Sequence, residues 1–242
     1  MPQEIPSYKT LLPPECIREN IMGPNPLPML EELLSAAPLP PGARVLDLGC
    51  GRGITSMYLA KAWGAQVFAL DLWIQPEENY ARIREMGLEA SVIPLLGDAN
   101  ALPFAPAYFD ALVSMDAYHY FGRQPGFLSE KILPFLKPGG RLYIALPGLA
   151  PGLSHDALPP ALLQSWSAED LACFQTAAWW QGLLKGEQVE TERIWELSCF
   201  QAAWADWLST DNPYAQGDRA AMEAGAGEHM RLIGMLLRRP AA

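Results

Sequence analysis

The segment Arg44-Val-Leu-Asp-Leu-Gly-Cys-Gly-Arg-Gly53 packs an apolar run, a carboxylate and three alternating glycines into one short stretch. Gly49, Gly51 and Gly53 read GxGxG. Lacking a Cβ, glycine lets the backbone take positive φ and lets a ligand approach it closely. A dinucleotide fingerprint is spaced GxGxxG and seats pyrophosphate on the N-terminus of the following helix. Here the third glycine comes one residue early, which separates the two cofactor classes. Asp47 lies inside the strand end, where it would sit badly beside pyrophosphate but suits a ligand with an ammonium group, held directly or through water. Asp71 closes the run Gln66-Val-Phe-Ala-Leu-Asp71. An acidic side chain at the end of a second strand accepts hydrogen bonds from ribose hydroxyls. The expected ligand is therefore a nucleoside that carries a cation.

These residues need a scaffold of strands ending at one edge. From Ala43 onward short apolar runs alternate with helical stretches, the mark of an α/β fold with a mostly parallel sheet. Strands are expected at 43–48, 66–70, 90–96, 109–115 and 141–146, because these runs are almost continuously apolar, as strands covered on both faces should be. Helices are expected at 54–63, 76–86 and 124–136, with Gly64, Gly87 and the turn Lys137-Pro138-Gly139-Gly140 as punctuation. Residues 1–41 hold ten of the 23 prolines and read as an arm with one helix at 27–37. Beyond Leu146 come a Pro/Gly-rich loop, a helix over 165–185, a strand over 189–199 and a final strand at 231–237. The GxGxG turn then lies outside the carboxyl end of the first strand, where open α/β sheets bind ligands.

Composition narrows the partners. Of 242 residues, half are hydrophobic and 18% are charged, enough apolar surface to fill a core. The net charge is −10, and no Lys/Arg cluster appears beyond Arg238 and Arg239, which excludes general phosphate-backbone binding to nucleic acid. The N-terminal stretch has neither a basic nor an apolar leader pattern, and no window approaches the ~18 apolar residues of a membrane span. A cytoplasmic protein without membrane partners, monomeric or homodimeric, is expected. Cys16, Cys50, Cys173 and Cys199 form no CxxC pair, so neither zinc, any other metal, nor a disulfide framework is indicated.

Taken in order, VLDLGCGRG, ALDL, LLGDANALPF, FDALVSMDAYHYF and LKPGGRLYIALPG resemble class I S-adenosylmethionine-dependent methyltransferases. They are most similar to the small-molecule group of ubiquinone/menaquinone-biosynthesis type. The resemblance covers roughly 20–148. It implies a Rossmann-like, mostly parallel sheet of seven strands with helices on both faces and a binding core over 42–148; beside it we read 1–41 as an N-terminal arm and lid helix, and 149–242 as a Trp-rich substrate-capping segment with the final strands of the same domain. The implied cofactor is S-adenosylmethionine, leaving as S-adenosylhomocysteine, and the implied acceptor is a small molecule. Asp47, Gly49, Gly51 and Gly53, with Cys50 in the same loop, would surround the methionine part, Asp71 the ribose, and Leu72 and Trp73 the adenine. Asp98 would accept from the adenine amino group, the Ala99 amide would contact the ring, and Ser114 and Met115 would offer carbonyls to the ammonium. The alternatives are a nicotinamide-dependent oxidoreductase, opposed by the GxGxG spacing and Asp47, and a noncatalytic S-adenosylmethionine-binding module.

Asp116-Ala-Tyr-His-Tyr-Phe121 follows the fourth strand and lies beside the expected methyl donor. His119 is the candidate base, because its ordinary pKa is near neutrality; alternatively it packs among its aromatic neighbours. Asp116 orients His119, binds a cationic substrate or caps the next turn. Tyr118, Tyr120 and Trp179 are candidate substrate contacts. Six of the eight tryptophans lie between Trp166 and Trp207, as core or as faces for a cation. Helical spacing puts Trp180 in the core and turns Trp179 elsewhere. Gly97-Asp98-Ala99-Asn100 also suits a simple turn. Met22-Gly-Pro-Asn-Pro26 reads as a lid entrance or as a proline-stiffened tether.

Overall fold

The structure is a computed structural model and describes residues 5–241. In chain order its helices are α1 (Tyr8–Leu11), α2 (Pro14–Asn20), α3 (Pro26–Ala36), α4 (Ile54–Trp63), α5 (Pro76–Glu85), α6 (Tyr118–Phe121), α7 (Ala168–Leu171), α8 (Ala177–Leu184), α9 (Phe200–Leu208), α10 (Pro213–Glu223) and α11 (Ala226–His229). The strands are β1 (Arg44–Leu48), β2 (Gln66–Asp71), β3 (Val92–Leu96), β4 (Phe109–Met115), β5 (Leu136–Leu149), β6 (Glu190–Glu196) and β7 (Met230–Arg238). They form one sheet in the order β3-β2-β1-β4-β5-β7-β6. The first five strands pair in parallel, while β7 runs antiparallel to both β5 and β6. From β1 the chain runs outward through β2 to β3 and then crosses back to β4 on the other side of β1, so the sheet has its switch point at the strand that carries the glycine turn.

Alternation along the strands builds two cores. Val45, Val67, Ala69, Val113 and Ala145 face α3 and α4, against Leu30, Leu33, Met57 and Tyr58. Leu46, Leu48, Leu70, Leu112, Ile144 and Ile233 face the other side, against Leu128, Ile132, Trp180 and Leu184. A third cluster joins Ile21, Phe174, Trp204, Trp207 and Ala215 beyond the carboxyl edge of the sheet. Trp180 thus belongs to the core, as its helical spacing requires.

Four expectations need correction. The N-terminal arm, expected with one helix, has three among the described residues, α1, α2 and α3, the latter two each opening on a proline at a helix start. The helix expected over 124–136 is instead one π turn, Leu128–Ile132, and one 3-10 turn, Leu133–Phe135. Pro134 has no N–H to continue an α ladder, and the Gly126 and Ser129 amides donate to the Glu187 carboxylate at 2.7 and 2.8 Å. The helix expected over 165–185 is broken into α7 and α8. Ser167 caps the first in a reciprocal pair with Asp170, and Thr176 accepts from the Trp179 amide to start the second. Lys137–Gly140, expected as a turn, belongs to β5, with a register shift against β4 between Phe109 and Ala111.

Asn25 anchors the N-terminal segment. Its side-chain oxygen accepts from the Leu27 amide at 3.0 Å and caps α3. Its amide nitrogen donates to Asp206 at 2.7 Å, and its backbone N–H to the Ala203 carbonyl at 2.9 Å. The approach to α3 is therefore fastened to α9. Among the described residues no helix is long and apolar enough to cross a membrane.

Candidate active site

A cavity of about 350 Å³ opens at the carboxyl edge of β1, β2 and β4. That is near the lower end of the range for small-molecule pockets, about 300–1,000 Å³. Its walls are the glycine loop at 49–52, the β2 end at 70–73, the turn at 97–100, the β4 end at 115–117 with Tyr120 and Phe121, and a cover made by Met22, Gly23 and Pro24.

The glycine loop needs its glycines for two different reasons. Gly49 and Gly51 have φ of +73° and +52°, which disfavours any side chain. A Cβ on Gly49 would also lie 2.4 Å from the Ala117 Cβ, so the loop and the β4 end can approach only without one. Gly53 starts α4 with φ +76° and lies outside the cavity wall.

Asp71 locks this loop to β2. One carboxylate oxygen accepts from the Gly51 amide at 2.8 Å; the other accepts from the Trp73 and Ile74 amides at 2.8 and 3.0 Å. Leu72 and Trp73 are the exposed apolar surfaces beside it. Asn79 also holds the loop, donating to the Gly51 carbonyl at 2.9 Å from a buried position on α5. Sequence reasoning missed it, since a polar residue on a polar helix carries no signal of facing inward. Asp98 lies on the cavity wall, and its Oδ1 also accepts from both the backbone and side-chain nitrogens of Asn100 at 2.8 Å, so the turn and the wall position coexist. Those bonds hold its carboxyl below the usual range. Cys50, Ala99 and Met115 line the cavity too. Burial pushes the Cys50 thiol up, which keeps it protonated.

Other expected residues point elsewhere. Asp47 is 0% exposed and outside the wall; one oxygen accepts from the Thr55 and Ser56 hydroxyls at 2.6 Å each, while Oδ1 has no protein partner. Burial pushes its pKa up to about 6, against the pull of the two hydroxyls. It ties β1 to the first turn of α4. Ser114 donates its hydroxyl to the Leu48 carbonyl at 2.8 Å and is fully buried behind the wall. Tyr118 is in the core against Phe121 and Trp180, and Trp179 stands edge-on to Trp180; neither lines the cavity.

His119 is 1% exposed, outside the wall, and neither ring nitrogen has a hydrogen-bond partner in the protein. Its ring lies 4.0 Å from that of Tyr120 and 5.6 Å from that of Phe174, centre to centre. Burial, with Arg123 adding to it, pushes its pKa down to about 3. Such a group is neutral at physiological pH and accepts a proton poorly, so the packing alternative fits it better than the base role.

Asp116 has the opposite character. It lines the cavity, holds φ at +56°, and anchors its backbone by donating its N–H to the Ala145 carbonyl at 2.7 Å. A non-glycine residue in this conformation costs of order 1 kcal/mol or more, offset by the surrounding structure. Burial pushes its carboxyl up to about 7, with Asp218 adding to the rise. The cover presses on it: a Cβ on Gly23 would lie 2.4 Å from Asp116 Oδ2. The cover is also tied to the loop, since Arg52 donates to the Glu19 carbonyl at 2.6 Å. Tyr120, half exposed, completes this end and meets Trp73 edge-on at 5.9 Å.

Comparison with known proteins agrees with this architecture. A methyltransferase-domain family matches residues 46–144. A probable chloroplastic tocopherol O-methyltransferase of Oryza sativa subsp. japonica is 36% identical over 122 residues, covering 48% of this chain and 33% of that protein. A 2-methyl-6-phytyl-1,4-hydroquinone methyltransferase of Synechocystis is 35% identical over 107 residues, 44% of this chain and 33% of that one. The chain thus spans about a third of the length of these two relatives. In fold, it superposes with a TM-score of 0.69 and 20% identity on a putative sarcosine dimethylglycine methyltransferase from Galdieria sulphuraria, over 88% of this chain and 84% of that one. Over residues 46–144 the chain is therefore similar to methyltransferase domains, quinone- and tocopherol-type methyltransferases among them.

Proposed function

We propose that the chain transfers the methyl group of S-adenosylmethionine to a small-molecule acceptor at the cavity beside Asp116, releasing S-adenosylhomocysteine. The observation that carries this reading is the Gly49–Gly51 turn locked to Asp71 and opening onto the same cavity that Asp116 closes. The residues present fit the cofactor. Asp71 spends three acceptor positions on backbone amides, and a carboxylate has about four, which leaves one for a ribose hydroxyl. Leu72 and Trp73 supply apolar flanks for a purine, and Asp98 lies where an exocyclic amine would need an acceptor. Met115 and Ala117 face the methionine end.

When bound, the sulfonium supplies an electrophilic methyl carbon. The protein's part is alignment and exclusion of water, which converts an encounter into a directed displacement. Gly49 allows the loop to close on Ala117, Asp71 orients the ribose, and Met22, Gly23 and Pro24 cover the chamber. In this reading 1–41 is the arm and lid, 42–148 the donor-binding core, and 149–242 the segment that caps the acceptor and completes the sheet. The acidic charge supports an acceptor other than nucleic acid, and four free cysteines suit a reducing compartment such as the cytoplasm.

The test is calorimetric titration with S-adenosylhomocysteine beside NADH. Saturable one-to-one binding of the former alone supports the reading. Tight NADH binding with no response to S-adenosylhomocysteine overturns it in favour of an oxidoreductase.

A further inference from the structure

The charge distribution at the acceptor end of the cavity selects among substrates. Asp116 faces the chamber with a carboxyl that finds no hydrogen-bond partner and no cation among the described residues. Among the described residues Arg52 is the only Lys or Arg on the cavity wall, and one of its guanidinium nitrogens donates to the Glu19 carbonyl at the glycine-loop end. Arg123 reaches the same region from behind, but it donates to the His119 and Ala172 carbonyls at 3.0 Å each. The other groups that act on this corner are acidic or neutral: Asp218 from α10, Asp170 from α7, Cys173, Tyr120 and the unprotonated His119.

Resting on the methyl-donor reading, we propose that Asp116 is the acceptor-binding residue and that the acceptor is an amine, which docks as its ammonium against this carboxylate and the rings of Tyr120 and Phe121, gives one N–H proton to the carboxylate, and as the neutral amine takes the methyl group as the S–CH3 bond breaks and S-adenosylhomocysteine leaves. Burying an unpaired carboxylate is unfavourable, and a cation brought in by the ligand relieves that cost. Aromatic faces attract the same cation. A phosphorylated or carboxylated acceptor would be repelled by Asp116, while Arg52, the basic side chain on the wall, belongs to the glycine loop and forms no ion pair with Asp116 among the described residues. The αL backbone at Asp116 and the bare Gly23 above it leave the carboxyl in contact with the cover, so a ligand on Asp116 is also a ligand under the lid.

Four probes that share a phenyl ring vary the charge, the first two being isosteres: benzylamine, benzyl alcohol, benzoate and benzyl phosphate. Each is titrated calorimetrically into the wild type and Asp116→Asn, with and without saturating S-adenosylhomocysteine, after near-ultraviolet circular dichroism of both proteins. Benzylamine is expected to bind wild type roughly tenfold or more tighter than benzyl alcohol, with the anions silent. In Asp116→Asn that gap is expected to disappear. A second measurement needs no variant: the wild-type gap should shrink from about pH 8 to about pH 5 as the carboxyl protonates. Equal or tighter binding of the alcohol or an anion, absence of benzylamine binding, or a gap that survives in Asp116→Asn overturns the inference. Failure of S-adenosylhomocysteine to bind would remove the donor reading, and the titrations without it would still decide whether Asp116 selects amines.

Discussion

The Asp71 carboxylate accepts the Gly51 amide across 2.8 Å, joining the end of β2 to the turn that leaves β1. Two consecutive sheet connections are thereby held by one side chain, which also organises the start of the Leu72–Trp73 surface through the Trp73 and Ile74 amides. Replacing Asp71 by Asn removes the charge and one acceptor oxygen. The expected loss is roughly 1–3 kcal/mol of stability, from charge-assisted bonds left weak or unmade. S-adenosylhomocysteine affinity should fall at least about tenfold. Urea unfolding and calorimetry on the same preparations measure both.

Asp116 should cost stability in the free protein. Its folded pKa, about 7, lies above the ordinary carboxylate value, so the folded state binds more protons than the unfolded state between about pH 4 and pH 7. Stability from this group is therefore greatest in acid and declines as pH rises through that window. Asp116→Asn should stabilise the ligand-free protein by about 2 kcal/mol at pH 8 and have little effect at pH 4. Denaturant midpoints across pH would show it; a variant less stable than wild type at pH 8 would contradict the account.

The sign reverses for His119, whose folded pKa of about 3 lies below its ordinary value. The unfolded chain binds the extra proton between about pH 6.5 and pH 3, so this group's contribution is intact above 6.5 and lost on acidification. His119→Leu should therefore flatten the acid side of the stability profile. It should leave S-adenosylhomocysteine binding within about twofold of wild type, because the ring touches Tyr120 and Phe174 rather than the cavity. A collapse of cofactor affinity in His119→Leu would return the residue to the site.

Gly23→Ala probes the cover. The new methyl carbon would fall 2.4 Å from Asp116 Oδ2, so either the cover lifts or the carboxyl turns. We expect benzylamine binding to weaken by about tenfold, with thermal stability changed by less than about 1 kcal/mol, since the new methyl meets the end of one side chain rather than backbone. Unchanged benzylamine affinity would show that the cover yields freely.

The glycine-loop half of the cavity was readable because its residues are contiguous: strand, glycine turn and helix follow one another in 44–63, and Asp71 ends the next strand. What the sequence hid was direction. Asp47 has the right type and position, yet the strand's alternation turns it with Val45 towards α4, where Thr55 and Ser56 take it. Asp116, His119 and Tyr120 are near neighbours in sequence but face different surroundings, because the positive φ at Asp116 precedes a short helical turn. The broken helix over 165–185 was hidden by an unbroken apolar pattern, which says which face is buried but not that Ser167 and Thr176 each start a separate helix.

Placing β7 between β5 and β6 has a consequence for synthesis on the ribosome. β6 leaves the exit tunnel before its only neighbour exists, and β5 presents an open edge until the same strand arrives. Because β7 pairs with β5 across a long intervening stretch of chain, closure of this half of the sheet is a late, non-local event. During that interval the apolar edge of β5 is a template for another chain's strand, so nascent chains stalled short of Met230 should be the principal clients of chaperones and the principal source of aggregates.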